Sequence, residues 1–242
     1  MNFSPENIFT SCEKNCPYID GKSSTTKHYL DEMDSPTYEK LLLRGWRRFG
    51  KHFFTPSCAN CIECTSIRIP TEEFVFSRSY KRILKANKDT KLIIRKPTVS
   101  KEHMEVYAKY HDYKSETKGW EEDTNGTVEY YTAFVECAKD YGYEYAYYVG
   151  KKLVAVALVD MLPMGVSAVY CYYDPNYNHL SLGTYSILKQ IEIAKENKIP
   201  YLYLGYWIAQ NASLTYKSRF KPHEILLGRP SLDDEPVWIR AK

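Results

Sequence analysis

Five of the seven cysteines lie within the first 64 residues, at a spacing that could hold a metal ion. Thiolates that are close in sequence can reach one ion without straining the backbone, and both zinc sites and iron–sulfur clusters use them. Simple reduced cysteines explain the pattern equally well, because the set has one thiolate too many for a four-ligand site. The candidate ligands are Cys12, Cys16, Cys58, Cys61 and Cys64. Cys137 and Cys171 stand alone and are predicted to be buried, inert thiols.

Charge is unevenly distributed along the chain, although the formal net charge is only +3. Residues 40–96 hold 14 Lys and Arg against 4 Asp and Glu, whereas residues 102–145 hold 4 basic against 11 acidic residues. The basic stretch favours a surface for a polyanion, and a solvated face without a partner is the alternative. Within it, the segment RGWRRFG at residues 44–50 interleaves cations with aromatic rings.

Composition excludes disorder as the main state, because 44% of the residues are apolar and 26% are charged. The apolar runs are too short to span a bilayer, and the first residues do not resemble a signal peptide. We therefore expect a soluble, cytoplasmic protein that makes no membrane contact. Such a protein is not expected to hold disulfides.

The elements that must position these residues follow from caps and periodicity. Ser35 and Pro36 predict the start of a helix that ends at Gly45. Ser100 predicts the N-cap of a second helix, over 101–114, and an acidic loop follows at 120–126. Further helices are predicted at 79–87, 127–140, 184–196 and 213–218, and residues 1–34 are predicted to be irregular.

Period-two patterns predict a three-stranded antiparallel meander at 143–149, 153–161 and 166–173. Other strands are predicted at 51–54, 66–69, 92–95, 201–207 and 225–227. Two helices, a meander, then helix, strand, helix and strand is the order of an N-acetyltransferase-like α+β domain. We predict such a domain, with a mixed sheet and flanking helices, over residues 92–242, preceded by a smaller Cys-rich basic region over 1–91.

Several long motifs resemble those of a known enzyme family. VDMLPMGVSAVYCYYDPNYNHLSLGTYSILKQIEIA (159–194), YLYLGYWI (201–208), YKSRFKP (216–222) and RGWRRFG are similar to the aminoacyl-tRNA–protein transferases of the N-degron pathway. The short length and the CPY start at residue 16 resemble the bacterial branch, which is related to the eukaryotic arginyltransferases. That branch is thought to move leucine from leucyl-tRNA onto proteins that begin with Asp or Glu. The resemblance covers nearly the whole chain and implies an acetyltransferase-like catalytic domain.

The sequence departs from related patterns in three places. The coenzyme A loop of acetyltransferases is absent, since residues 178–183 read NHLSLG, which agrees with a donor other than acetyl-CoA. Relatives commonly carry Lys-Met where this chain has Ser213 and Leu214, so one expected cation is missing. Eukaryotic relatives hold an iron–sulfur cluster on an N-terminal and a vicinal Cys pair, but this chain has no vicinal pair.

The resemblance implies that an aminoacyl ester on tRNA reacts with a protein α-amino group. The ester is activated, so the enzyme needs positioning, a modest general base and a donor for the developing oxyanion, and no cofactor for the chemistry. A covalent intermediate is unnecessary, and Cys171 is expected to pack. In this fold the central strands separate around the acyl donor. The expected catalytic residues are Tyr170, Tyr172, Asp174, Asp160 and Tyr206.

Two binding functions remain to be placed. Arg pairs with phosphate and aromatic rings stack on unpaired bases, which suits the tRNA end. This function is expected of Arg44, Trp46, Arg47, Arg48, Lys81, Arg82 and Lys85. The acidic side chain of the acceptor needs a cation or hydroxyl donors, which are expected from Arg78, Tyr216, Lys217 and Arg219.

Alternatives remain open at this point. An arginyl transferase acting on the same acceptors differs only in its side-chain pocket, because arginine needs a buried acid and leucine an apolar wall. An acyltransferase for small molecules or peptidoglycan on the same fold would not need donor tRNA. A non-catalytic RNA-binding module with a structural metal would bind tRNA in a salt-dependent way without forming a peptide bond.

Overall fold

The computed structural model describes residues 3–136 and 140–241. Cys137 and the end of the helix predicted at 127–140 lie outside the described residues. The helices are α1 Ser35–Leu43, α2 Arg78–Ala86, α3 Lys101–Lys118, α4 Thr127–Tyr130 and α5 Leu182–Glu196, with a π-helical turn at Tyr131–Val135 and 3-10 turns at Pro5–Asn7, Pro175–Leu180 and Thr215–Arg219. The strands are β1 Phe9–Thr10, β2 Lys14–Asn15, β3 Ser23–Ser24, β4 Thr26–Leu30, β5 Arg47–Phe49, β6 His52–Pro56, β7 Thr65–Pro70, β8 Thr90–Arg95, β9 Gly142–Val149, β10 Lys152–Leu162, β11 Gly165–Tyr173, β12 Tyr201–Trp207, β13 Glu224–Leu226 and β14 Trp238–Arg240.

A large mixed sheet with flanking helices confirms the predicted α+β class. Its strand order is β14-β13-β7-β12-β11-β10-β9-β8, and only the pair of β11 with β12 is parallel among the described strands. The predicted meander is confirmed as β9, β10 and β11. Its strands read as long apolar runs because helices cover both faces, which leaves residues such as Val154 and Val156 fully buried.

The first 34 residues are not irregular as predicted. They contain β1 to β4, and a second sheet has the order β1-β4-β6-β5. These strands are two to five residues long, and β1 to β3 carry few buried side chains, so period-two alternation does not reveal them. The cap of α1 is also one residue earlier than predicted, since the Asp34 carboxylate accepts the Thr37 N–H at 2.8 Å.

Helix α5 packs across the large sheet through an apolar face. Its buried residues recur at intervals of three or four, as Tyr185, Leu188, Ile191 and Ala194 do. Helix α3 begins at the predicted N-cap, where Ser100 accepts the His103 N–H, and it packs with α4 on a separate aromatic cluster. Helices α3 and α5 both contact β11, so that the strand lies between them.

The parallel pair of strands separates soon after it forms. β11 and β12 pair only at Val166 with Leu202 and at Ser167 with Tyr203. Beyond this point, β12 pairs with β7 and shifts register at Gly205, whose φ of +78° is a conformation that favours glycine. We call the space between residues 168–173 of β11 and residues 204–207 of β12 the strand gap.

No helix in residues 3–136 and 140–241 is both long enough and apolar enough to cross a bilayer.

Candidate active site

The guanidinium of Arg47 lies in the strand gap and touches both of its strands. Nη2 donates to the Ala168 carbonyl on β11. On β12, a Cβ added to Gly205 would lie only 3.3 Å from Arg47 Nε, so glycine leaves room for the guanidinium. Arg47 is 8% exposed, and its buried Nη1 has no hydrogen-bond partner among the described residues. An unpaired donor on a buried cation is costly, and it is the arrangement that a ligand oxygen would complete.

Lys217 enters the same region from the 3-10 turn that follows β12. Its ammonium donates to the Tyr206 carbonyl at 2.6 Å. Burial, together with the nearby charge of Arg47, lowers the pKa of Lys217 to about 7. Neither cation has a carboxylate partner within the part of the chain that the structure describes. The strand gap is therefore a place where an anionic group could pair with both cations at once.

Tyr170 is on β11 beside the gap and has a specific partner. Its hydroxyl is 2.9 Å from His111 Nε2, and His111 Nδ1 is 2.8 Å from the Asp123 carboxylate. Sequence reasoning expected Tyr170 but missed His111, which lies on the inner face of α3 against Tyr107, with ring centroids 4.3 Å apart. The sequence signal was weak, because a lone histidine on a helix is most often a packed one.

Asp160, expected as a general base, is buried in an ion pair. The carboxylate is 1% exposed and is bound by Arg48, with Nε 2.9 Å from Oδ2, and by the Tyr38 hydroxyl at 2.8 Å. These contacts occupy both oxygens of a carboxylate that is almost fully buried. The placement favours a structural function for Asp160 and also for Arg48, which had been expected to bind tRNA.

Tyr172 and Tyr206 also have their hydroxyls engaged inside the protein. Tyr172 is fully buried, and its hydroxyl lies 2.6 Å from that of Tyr130. Tyr206 donates to the Gly45 carbonyl at 3.0 Å, which ties β12 to the segment after α1. Both placements favour packing, although the Tyr206 backbone carbonyl still orients Lys217.

Asp174 closes the turn after β11. Its carboxylate accepts the Asn176 N–H at 3.0 Å and the Lys152 ammonium at 2.9 Å. Burial opposes its ionisation, but these hydrogen bonds hold the pKa of Asp174 below its usual value. A carboxylate that already accepts several hydrogen bonds and has a lowered pKa is a poor base. The position therefore favours a turn-forming function.

Most side chains of the RGWRRFG segment, which was expected to bind tRNA, lie inside the protein. Trp46 packs in the apolar cluster around α1, and Arg47 and Arg48 are buried. Arg44 is bound to the carbonyls of Lys40, Ser231 and Asp234. Within the segment, residues 47–49 form β5, the edge strand of the smaller sheet.

Helix α2 presents the exposed cations instead. Ser77 caps it, and its basic residues project from the surface without an ion pair to any described residue. They are Arg78, Lys81, Arg82 and Lys85. Beside this helix, a groove of about 560 Å³ runs to the start of α5, and Tyr216 and Arg219 of the 3-10 turn line it with Tyr80 and Phe220. The Tyr80 and Phe220 rings are stacked, with centroids 5.3 Å apart.

Two family models match this chain and leave only a short stretch between them. The model for the C terminus of arginine-tRNA-protein transferase matches residues 102–227, and the model for its N terminus matches residues 14–82. The chain belongs to the arginine-tRNA-protein transferase family. The C-terminal match contains β11, β12 and Lys217, and the N-terminal match contains Arg47 and α2.

Named relatives in this transferase family match over almost their whole length. A protein from Helicobacter hepaticus named aspartate/glutamate leucyltransferase is 45% identical over 95% of this chain and 96% of its own. A protein of the same name from Campylobacter jejuni is 41% identical over 95% of this chain and 97% of its own. Among solved structures, L-PGS from Bacillus licheniformis has a TM-score of 0.45 at 13% identity, covering 73% of this chain and 57% of that chain, a likeness that carries no argument.

Four of the cysteines expected as metal ligands lie near one another in this family member. Cys16, Cys58 and Cys61 lie close enough to Cys64 to act on it electrostatically, and burial, followed by Cys16, raises the pKa of Cys64 to about 12. No group of three or more Cys, His, Asp or Glu residues among those described is arranged to hold a metal ion. Cys12 is exposed, and Cys16, Cys58, Cys61 and Cys64 are half-buried.

Proposed function

We propose that the protein transfers leucine from leucyl-tRNA to the α-amino group of proteins that begin with Asp or Glu. The transfer forms a peptide bond and creates an N-degron. The names of the relatives support the amino acid and the acceptors. The observation that carries the proposal is the strand gap, where Arg47 and Lys217 lie without a carboxylate partner among the described residues and Arg47 Nη1 lacks any partner. An acidic side chain would fill this site.

The reaction needs little beyond positioning. The acceptor α-amine has a pKa of roughly 8, so a useful fraction is neutral near pH 7. In the proposed complex, Arg47 and Lys217 hold the acceptor carboxylate, and the amine lies beside Tyr170. The amine nitrogen bonds to the ester carbonyl carbon as the bond from that carbon to the ribose oxygen breaks. Held in the gap, the two reactants meet in an oriented, effectively unimolecular step.

The donor side of the proposal uses α2 and the groove beside it. The exposed cations of α2 suit the phosphates near the tRNA acceptor end. The groove has apolar walls from Val75, Ile83 and Phe220, and no acidic residue is among the described residues that line it. A leucyl group fits such walls, whereas the arginyl alternative needs a buried acid. The groove therefore favours leucine over arginine, although the family description names arginine.

We also propose an acetyltransferase-like fold for residues 92–242, with residues 1–91 as an N-terminal region. The separation of the parallel pair after two residue pairs supports this fold. The boundary is supported by the stretch between the two family matches. Because the donor is a product of the translation machinery, we propose that the protein acts in the cytoplasm.

A transfer assay with two donors tests the function. Labelled leucyl-tRNA and arginyl-tRNA are supplied in parallel with peptides that begin with Asp, Glu, Lys or Ala. We expect leucine transfer to the Asp and Glu peptides only. Arginine transfer to the same peptides would show that arginyl-tRNA is the donor, and the proposed mechanism would still apply. Binding of tRNA without transfer of an amino acid from either donor would favour the non-catalytic RNA-binding module.

Arg47→Met in the same assay tests the strand gap. The variant keeps the length of the side chain and removes its charge. We expect KM for the Asp peptide to rise by about 10-fold or more, as for loss of a charge-assisted hydrogen bond. Lys151→Met, on an exposed turn, is the matched control. Equal KM values for the two variants would contradict the proposal that Arg47 binds the acceptor carboxylate.

A further inference from the structure

Three side chains that meet beside the strand gap form a chain of hydrogen bonds that packing does not require. We propose that Tyr170, His111 and Asp123 form a proton relay that carries the proton from the acceptor amine to the ribose oxygen of the leaving tRNA. This inference rests on the proposed function, because it names the groups that move the proton in that reaction.

The hydrogen bonds fix the direction of the relay. An Asp123 carboxylate can only accept, so His111 Nδ1, 2.8 Å away, must carry the hydrogen. His111 Nε2 is then the lone-pair nitrogen and accepts from the Tyr170 hydroxyl at 2.9 Å. This leaves the lone pairs of the Tyr170 oxygen as acceptors for a substrate proton. Carboxylate, imidazole and hydroxyl groups linked in this order also activate the nucleophilic hydroxyl in acyl-transfer enzymes.

The relay ends beside the proposed carboxylate site. Tyr170 lies on β11 two residues from Ala168, whose carbonyl binds Arg47, with a β-bulge between them. Phe49, two residues after Arg47 on β5, has its ring 6.4 Å from the ring of Tyr170. Phe49 thus connects the strand that carries Arg47 to Tyr170. An N-terminal residue whose side chain reaches Arg47 would place its amine toward Tyr170.

The surroundings of His111 keep it available as a proton acceptor. The aromatic rings of Tyr107, Tyr110 and Trp120 pack around it. Burial lowers the pKa of His111, so the imidazole is neutral at pH 7, while Asp123 and then Asp112 oppose this shift. Asp123 also stabilises the imidazolium once it forms.

The proton balance of the step closes without an outside reagent. As the amine nitrogen bonds to the carbonyl carbon, its proton passes to the Tyr170 oxygen, and the phenolic proton passes to His111 Nε2. As the bond to the ribose oxygen breaks, His111 returns its proton to Tyr170 and Tyr170 protonates that oxygen. Tyr170 therefore never persists as a phenolate, which its buried position disfavours. Tyr170 is the catalytic residue, and His111 and Asp123 act through it.

Single-turnover transfer of leucine to an Asp peptide, measured from pH 5.5 to 9, tests the relay. Tyr170→Phe and His111→Ala should each lower the rate by about 100-fold, the lower range for general acid–base catalysis, without changing KM for the peptide. Asp123→Asn should also lower the rate, because an amide can donate to Nδ1 and favour the wrong tautomer. Tyr145→Phe, which removes another buried hydroxyl of the sheet, should keep the full rate.

Two readouts separate a relay from a structural function. At pH values below the pKa of His111, the log of the wild-type rate should fall with decreasing pH at a slope near two, because both the amine and the imidazole become protonated. In His111→Ala the slope should be near one, because only the amine is left to titrate. Added imidazole should raise the rate of His111→Ala, and it should not act on Tyr170→Phe.

The outcomes are distinguishable. Wild-type rates in Tyr170→Phe or His111→Ala, or an unchanged pH slope without imidazole rescue, would overturn the relay and leave the proposed function standing. Absence of transfer by the wild type would overturn both. Thermal denaturation of each variant identifies any loss of rate that comes from unfolding.

Discussion

Arg47 and Lys217 bring two like charges into the strand gap. A bound anion would neutralise the repulsion between them. Each is held by a backbone carbonyl, which orients a cation without neutralising it. Proteins rarely leave such groups buried and unpaired unless a ligand completes them. The lowered pKa of Lys217 records the resulting destabilisation, since the folded protein holds the lysine's proton less tightly than the unfolded chain does.

The stability of the protein should therefore depend on pH through Lys217. Its pKa is about 7 in the folded protein and about 10.4 when unfolded, so between these values the unfolded state binds more protons. The destabilisation is complete below pH 7 and is lost as the pH rises toward 10. Relative to Lys217→Met, the free energy of unfolding of the wild type should rise by up to about 1.4 kcal/mol per pH unit. Urea denaturation at pH 7, 8 and 9 measures this difference, and parallel curves would contradict it.

Breaking the buried pair of Arg48 and Asp160 at one partner should be strongly destabilising. Asp160→Asn leaves the Arg48 guanidinium buried without its counter-ion, and removing one partner of a buried pair costs about 3–5 kcal/mol. Chemical denaturation should show this loss. Replacing both partners, as Arg48→Met with Asp160→Leu, should cost less than the single change. Glu73→Gln, which breaks an exposed pair with Arg240, is the control, and an equal effect of the two single changes would contradict the assignment.

At the scale of elements, α2 carries exposed cations that were expected, together with the RGWRRFG segment, to bind tRNA. Each phosphate contact contributes about −0.7 to −0.9 to the slope of log K against log salt. Lys81→Ala with Lys85→Ala should therefore reduce the slope for tRNA binding by about 1.4 to 1.8. Fluorescence anisotropy across a salt series measures it. Lys101→Ala with Lys151→Ala removes the same charge from exposed sites elsewhere, and an identical slope change there would show that only net charge matters.

Local signals predicted most of the elements, and long-range pairing explains what they missed. Ser100 marked the start of α3, and the period-two runs marked β9 to β11, because caps and alternation act between near neighbours. The burial of Arg47 and Arg48 depends on Ala168 and Asp160, more than 100 residues away. His111 could not be recognised from the helix alone, since its partners come from the loop at Asp123 and from β11.

At the scale of the molecule, the large sheet is built from both predicted regions of the chain. β7 comes from residues 1–91, yet it lies between β12 and β13, which follow residue 200. Ile67 and Ile69 of β7 are fully buried in the main core. The Arg68 guanidinium lies 2.7 Å from Glu224 and 3.7 Å from the centre of the Tyr201 ring. The boundary at residue 91 therefore divides the sequence without dividing the core.

Residues 92–242 should consequently fail to fold alone, even though they include the proposed transferase domain. Without β7, the β12 and β13 strands lose their shared neighbour and expose unpaired backbone groups, and the core loses two buried isoleucines. Each large buried side chain removed costs about 2–5 kcal/mol, and whole domains are stable by only about 5–15 kcal/mol. Thermal denaturation followed by circular dichroism should show no cooperative transition for the fragment and a clear one for the full chain. Adding residues 1–91 as a separate peptide should restore the transition. A cooperative transition in the fragment alone would mean that the sheet closes without β7, and the two regions would then be independent domains.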